Sequence, residues 1–187
     1  MKNNSIKIDI SKYNNSLSRA NQIKRVIWQI TWAIFARPFP RSLGNKWRLI
    51  LLRLFGAKID NTAVVYPTVR IYQPWNLEMA EYSCLAPEVD CYNVDRIVIG
   101  AYSTVSQKCY LCAASHNIRS SNHELIHAPI VIEDQVWVGA DVFIGMGVTV
   151  ESGAVIGARA AVFKNVEQWT IVGGNPAKFI KKRIINE

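Results

Sequence analysis

Residues 132–162 read IEDQVWVGADVFIGMGVTVESGAVIGARAAV, with a branched aliphatic at every sixth place: Ile132, Val138, Ile144, Val150, Ile156 and Val162. A beat of six matches neither the period of an α-helix nor the two-residue alternation of a simple strand. It matches a parallel β-helix, in which short strands send one large side chain inward from each face of a triangular prism. The beat extends backwards through Ile59, Val65, Ile71, then Met79, Leu85, Cys91, then Ile99, Val105, Leu111. Together these triplets make about five coils of three faces. The fourth residue after each large one also turns inward, and it is Ala, Val, Ser or Cys everywhere except Trp75 and Asp95.

The spacing between coils is uneven. Ile71 to Met79 and Cys91 to Ile99 are eight residues each, Leu111 to Ile132 is 21, and Ile144 to Val150 is again six. Every insertion therefore falls on one edge of the prism, and insertions on one edge commonly build a binding face. The longest, residues 117–131, has a length that in a compact repeat marks a functional or disordered loop.

A chain of 187 residues suits one domain with a sizeable core. Three parts are expected: a basic, mostly helical cap (1–56), the β-helix (57–172) and a basic tail or short helix (173–187). In the cap, residues 23–35 (IKRVIWQITWAIF) and 45–55 (NKWRLILLRLF) read as amphipathic helices, separated by RPFPRSLG with Pro38, Pro40 and Gly44. No apolar run is long enough to span a membrane. The N-terminal MKNNSIKIDISKYNNS lacks a signal-peptide core, so a cytoplasmic location is expected. Cys84, Cys91, Cys109 and Cys112 read as reduced small hydrophobes.

Charge is concentrated at the front. Residues 1–56 hold eleven Lys/Arg against Asp9 alone, a net +10, so the remainder carries −2 of the total +8. Such a segment suits anionic lipid, a phosphorylated ligand or an acidic saccharide, or is simply a solvated surface. No nucleic-acid partner is expected.

All three histidines, His116, His123 and His127, fall in one window at the long insertion. His116 follows Leu111 by five residues, where the third coil turns into the loop. Imidazole titrates near neutral pH, which suits removal of a proton from a hydroxyl.

The stretch VIEDQVWVGADVFIGMGVTVESGAVIGARAAVFKNV with VGGNPAKFIKKR resembles the hexapeptide-repeat acyltransferases. More narrowly, WRLILLRLFGAKI, PWNLEMAEYSCLAPEVDCYNV and YLCAASHN resemble the colanic-acid-biosynthesis (WcaF-like) acetyltransferases, over roughly residues 45–183. The resemblance implies a mainly β, left-handed parallel β-helix, assembled as a homotrimer with acetyl-CoA in clefts between subunits. It implies that His116 takes the proton of the acceptor hydroxyl, whose oxygen attacks the thioester without an acyl-enzyme. Trp137 matches the tryptophan that lines the cleft. Ala140, Gly157, Ala158 and Lys164 match the path of the pantetheine arm, and Lys178 and Lys181 the contacts to the CoA phosphates. Arg159 and Phe163 depart from the Gly and Thr of many relatives. Asp90, Tyr92 and Asn93, one coil below His116, and Gln107 are candidates for binding a saccharide acceptor, with a core or corner role as the alternative.

Other functions share parts of this pattern. A γ-carbonic-anhydrase-like metal site uses the same prism but draws ligands from separated coils. His123-x3-His127 and Cys109-x2-Cys112 make poor substitutes, and no metal is expected. An N-acetyltransferase acting on an amino sugar needs the same base. A non-catalytic trimeric scaffold remains a further alternative. The aromatic residues Trp28, Trp32 and Phe35, beside Lys24, Arg25 and Arg37, lie either at a membrane surface or against the first coil or a neighbouring subunit.

Overall fold

A computed structural model describes residues 8–12 and 17–186 of the chain. Most of the N-terminal stretch read for a signal peptide lies outside these residues. Three parallel sheets form the faces of a prism. The first face holds β1 (Lys58–Ile59), β4 (Leu77–Met79), β7 (Ile97–Ile99), β12 (Ile130–Ile132) and β15 (Thr149–Val150). The second holds β2 (Val64–Val65), β5 (Cys84–Leu85), β8 (Thr104–Val105), β13 (Trp137–Val138), β16 (Val155–Ile156) and β18 (Thr170–Gly173). The third holds β3 (Arg70–Ile71), β6 (Asp90–Tyr92), β9 (Tyr110–Cys112), β14 (Phe143–Gly145) and β17 (Ala161–Val162). Like residues stack in register, as Leu85 on Val65 and Val105, and Ile132 on Ile99 and Val150. The large residues of the beat are the buried core.

Within the expected span 57–172 the prism holds more than five coils. After Val162 the beat shortens to four, Val166 bridges to Val150, and Val172 pairs with Ile156 six residues later. Five complete coils are thus followed by two faces of a sixth. The basic tail is not a helix: β19 (Lys178–Lys182) returns antiparallel on β18. There its main chain occupies an edge that would otherwise stay unpaired. Of the small inward positions, Ser115 departs, because the chain leaves the prism before it and leaves it exposed. Among the cysteines, Cys91 and Cys109 are buried, whereas Cys84 and Cys112 face outward and are half-buried.

Corners repeat a left-handed backbone position. Tyr82, Tyr102, Gln135 and Trp169 take it between the first and second faces. Glu88, Lys108, Asp141 and Arg159 take it between the second and third. Arg159, at φ +60°, thus stands where glycine carries no steric cost, and it reaches Asp141 one coil below (Nε–Oδ2 3.4 Å).

The first coil has no coil beneath it, and two helices supply the missing partners. α1 (Arg19–Thr31) ends in a wider turn over Trp32–Ala36, and α2 spans Arg41–Leu54. The break between them is shorter than RPFPRSLG, since α2 begins at Arg41 and contains Gly44. Trp28 and Trp32 donate their indole N–H groups to the carbonyls of Ile71 and Val69 (2.7 and 3.1 Å). Buried Arg48 donates to the Val65 and Phe39 carbonyls (2.8 and 2.9 Å), and Asn45 and Arg53 serve Ala63, Val65 and Ile59. These bonds spare the first coil the cost of orphaned carbonyls. Both tryptophans are buried, so of the three aromatic residues named for a membrane surface only Phe35 is exposed.

Candidate active site

The 21-residue gap leaves the corner between the third and first faces as a hairpin. β10 (Ala114–His116) pairs antiparallel with β11 (Leu125–His127), setting His116 opposite Leu125. Asn117 closes the tip: its amide donates to the Glu124 carboxylate (2.8 Å) and its Oδ1 accepts from the Arg119 N–H (3.0 Å). The turn brings the His123 carbonyl to 2.6 Å from His116 Nδ1. A carbonyl can only accept, so Nδ1 carries the hydrogen and Nε2 is the basic nitrogen of the neutral ring. His116 is exposed at the end of its strand. His123 contributes through its main chain rather than its ring.

His127 has a different duty. Its Nδ1 lies 2.7 Å from Asp95 Oδ2, tying the returning strand of the hairpin to the second coil. Asp95 is the carboxylate that broke the rule of small inward residues, and that irregularity was the signal available in the sequence for this anchor. Beside it, Asn93 is fully buried. Its Oδ1 accepts from the main-chain N–H groups of Tyr72 and Gln73 (3.0 and 2.8 Å), and its Nδ2 donates to the Gln73 carbonyl. Asn93 is therefore a corner residue without a surface to offer an acceptor. Asp90 and Tyr92 do face outward. Asp90 pairs with Arg70 (3.2 Å), yet burial foremost raises its carboxyl above the usual aspartate range. Tyr92 belongs to an aromatic column up the third face, Tyr72, Tyr92, Tyr110, Phe143 and Phe163, with neighbouring centroids 4.7 to 6.4 Å apart.

The remaining candidates gather elsewhere. Trp137 projects from the second face, half exposed, and donates to Ser106 Oγ (3.1 Å). Gln107, Ala140 and Ala158 follow one above another at the corner between the second and third faces, with Gly157 beside Ala158. The Asp141 N–H bonds the Gln107 carbonyl, and the Arg159 N–H bonds the Ala140 carbonyl (both 2.9 Å). Within one chain, then, His116 and this strip occupy different edges of the prism, and the second face lies opposite the corner that bears His116.

Lys164 and Lys178 come together at the C-terminal end. With Lys182, Phe163, Pro176 and Ala177 they border a groove of about 620 Å³ where the last coil stays open. Lys182, not Lys181, completes this basic rim. Cys109 donates to the Gly139 carbonyl, and burial pushes its thiol up to about 11, the wrong direction for a nucleophile or metal ligand. Among the described residues no group of three or more His, Cys, Asp and Glu side chains is disposed to hold a metal ion.

No family model matches the chain. It is 42% identical over 169 residues to WcaF of Escherichia coli (strain K12), named as a candidate acetyltransferase of colanic acid biosynthesis; the match covers 89% of this chain and 91% of that protein. A hexapeptide-repeat acetyltransferase of Vibrio cholerae superimposes with a TM-score of 0.78 at 26% identity, over 88% of this chain and 93% of that one. A maltose O-acetyltransferase of Clostridium difficile 630 shares the fold with a TM-score of 0.79 at 24% identity, over 90% of each chain. With the prism, its single-edge insertion and this identity along nearly the whole length, the chain belongs to the WcaF-like hexapeptide-repeat acetyltransferases.

Proposed function

We propose that this acetyltransferase moves the acetyl group of acetyl-CoA to a saccharide hydroxyl during assembly of a cell-surface polysaccharide, with His116 as general base. The carrying observation is the Nδ1 contact to the His123 carbonyl, which leaves Nε2 as the ring's basic nitrogen. His116 takes the hydroxyl proton, the oxygen bonds to the thioester carbon, the carbon–sulfur bond breaks, and the imidazolium returns its proton to the CoA thiolate. The products are an acetyl ester and CoA. Base assistance of this kind is worth about 10²–10⁴ in rate. The donor suits the residues present: Ala140, Gly157 and Ala158 leave room for a thin arm against the main chain, and Lys164 and Lys178 offer positive charge to phosphates. Lys181 is a weaker candidate, standing outside the groove. For the acceptor, Asp90 offers a carboxylate, Tyr92 an aromatic surface and Gln107 an amide.

The working unit in this reading is a homotrimer. Its support is the separation of His116 from Trp137 and the small-residue strip on different edges, which a second copy laid alongside would bring together. Replacing His116 by Ala should leave oligomer size and acetyl-CoA affinity unchanged while turnover falls at least about 100-fold. Near-normal turnover in that variant would refute the assignment. Screening acetyl-CoA consumption against nucleotide sugars, free oligosaccharides and lipid-linked glycans finds the acceptor. Alkaline hydroxylamine cleaves an ester product and spares the amide that an N-acetyltransferase would make.

A further inference from the structure

The helix pair is apolar on two faces, and the prism uses one. Toward the first coil go Trp28, Trp32, Ala36, Leu49 and Leu52, all buried. Away from it, Ile23, Ile27, Ile30 and Ile34 repeat the spacing i, i+4, i+7, i+11, and Leu43, Trp47, Ile50 and Leu54 repeat it on α2. That spacing lines one stripe of a helix. These side chains are 41% to 82% exposed, with Val26, Phe35 and Phe39 exposed beside them. The Trp47 indole N–H donates to the Phe35 carbonyl (2.6 Å), joining the two segments. Eleven exposed apolar side chains on one helix pair exceed the scattered singles of an ordinary surface and mark an interaction site.

Charge identifies the partner. Between Asp9 and Asp60 the chain has ten Lys/Arg and no acid. Arg19, Lys24, Arg37, Arg41 and Lys46 are exposed around the helices. Lys24 and Arg41 lie over the Trp75 and Tyr66 rings, 4.0 and 5.0 Å from the centroids, at the flanks where the pair meets the prism. A second copy of this face would set two all-cationic segments together, and like charges oppose that contact. An anionic bilayer satisfies both features, since the apolar stripe enters the acyl boundary while cations meet the headgroups. No helix of the described residues is long and apolar enough to cross a membrane. We propose that the outward stripes of α1 and α2 lay the protein on the surface of an anionic lipid bilayer. The proposal is independent of which acceptor the enzyme acetylates.

Flotation of the full chain with mixed phosphatidylglycerol/phosphatidylcholine vesicles tests it. The protein should float with these vesicles, detach as salt is raised, and stay behind with pure phosphatidylcholine. The double substitution Ile27→Glu/Leu54→Glu should cut partitioning at least about 10-fold while melting temperature, oligomer size and acetyl-CoA turnover hold. Lys46→Glu, on the surface of α2, should cut it about 5-fold without bearing on folding. Absence of binding by the unaltered chain to the phosphatidylglycerol vesicles overturns the proposal. Dissociation of the oligomer in the double variant also overturns it, by assigning the face to a second copy.

Discussion

Replacing Gly139 by Ala tests how closely neighbouring coils are held where the acetyl donor is proposed to lie. A methyl group there would stand 2.7 Å from the Ile156 carbonyl oxygen, 2.8 Å from the Ala158 nitrogen and 3.1 Å from the Ala158 Cα. All three are main chain of the next coil. The Ile156 oxygen also accepts from the Gly139 N–H (2.8 Å), so it cannot retreat without loosening the ladder. One coil further on, a methyl at Gly157 meets the Val172 oxygen at 3.3 Å and the Gly173 Cα at 3.7 Å, contacts that a small shift relieves. Neither glycine is among those with positive φ. Both substitutions therefore gain about 0.4–1 kcal/mol by restricting the unfolded chain. Overpacking costs about 1–3 kcal/mol at Gly139, leaving a net loss of up to about 2.6 kcal/mol, while Gly157→Ala stays near neutral. For a chain of this size the Gly139 variant should melt lower, by up to about 10 °C. Thermal melts of the two variants make the comparison. If Gly139→Ala melts at or above Gly157→Ala, the steric reasoning fails.

Further outcomes concern the hairpin, the core and acid stability. Asp95→Ala and His127→Ala should each lower kcat while leaving acetyl-CoA affinity intact, and the double variant should be no worse than either, because both break one contact; additive losses would separate their roles. Leu111→Ala, at a fully buried place between Cys91 and Ile144, should cost about 2–5 kcal/mol in denaturant titrations. At Glu78, the Arg96 guanidinium (2.9 and 2.7 Å) is the foremost cause holding the carboxyl below the usual glutamate range, against the opposing effect of burial. A carboxyl with a depressed folded pKa stabilises above its unfolded value and loses that contribution as pH falls through the folded one. Arg96→Ala should therefore flatten the acid limb of the stability curve below about pH 4, read by melts across pH.

Much of the fold was legible because a parallel coil writes itself locally. Each strand needs one large inward residue, and Ile132 to Val162 supply it on an unbroken beat. The beat of large residues stops at Val162 because the corner after it drops two residues, so Val166 and Val172 fall off a count of six. The tail NPAKFIKKRII carries no alternation strong enough to announce a strand, and it becomes one because β18 offers it an unpaired edge. At the site, position singled out His116 but not its working nitrogen, nor the division of labour among three histidines. Those depend on which carbonyl or carboxylate the hairpin brings within about 3 Å, a matter of the path of the loop rather than of spacing. Asp95 was visible as an irregularity, yet its partner lay 32 residues away.

By itself, then, the sequence determined the prism, the edge that carries its insertions and the histidine at the break. Hydrophobic periodicity and chain length are local quantities, and each coil repeats them. Tertiary structure alone decided which face of each helix is buried. Both faces of α1 are apolar, and Trp28 and Trp32 turn inward because their indole N–H groups reach the bare carbonyls of the first coil. That choice leaves Ile27 and Ile30 outside. It likewise decided that His116 Nδ1 meets the His123 carbonyl and that His127 meets Asp95, pairings set by the path of the loop and invisible to any count along the chain.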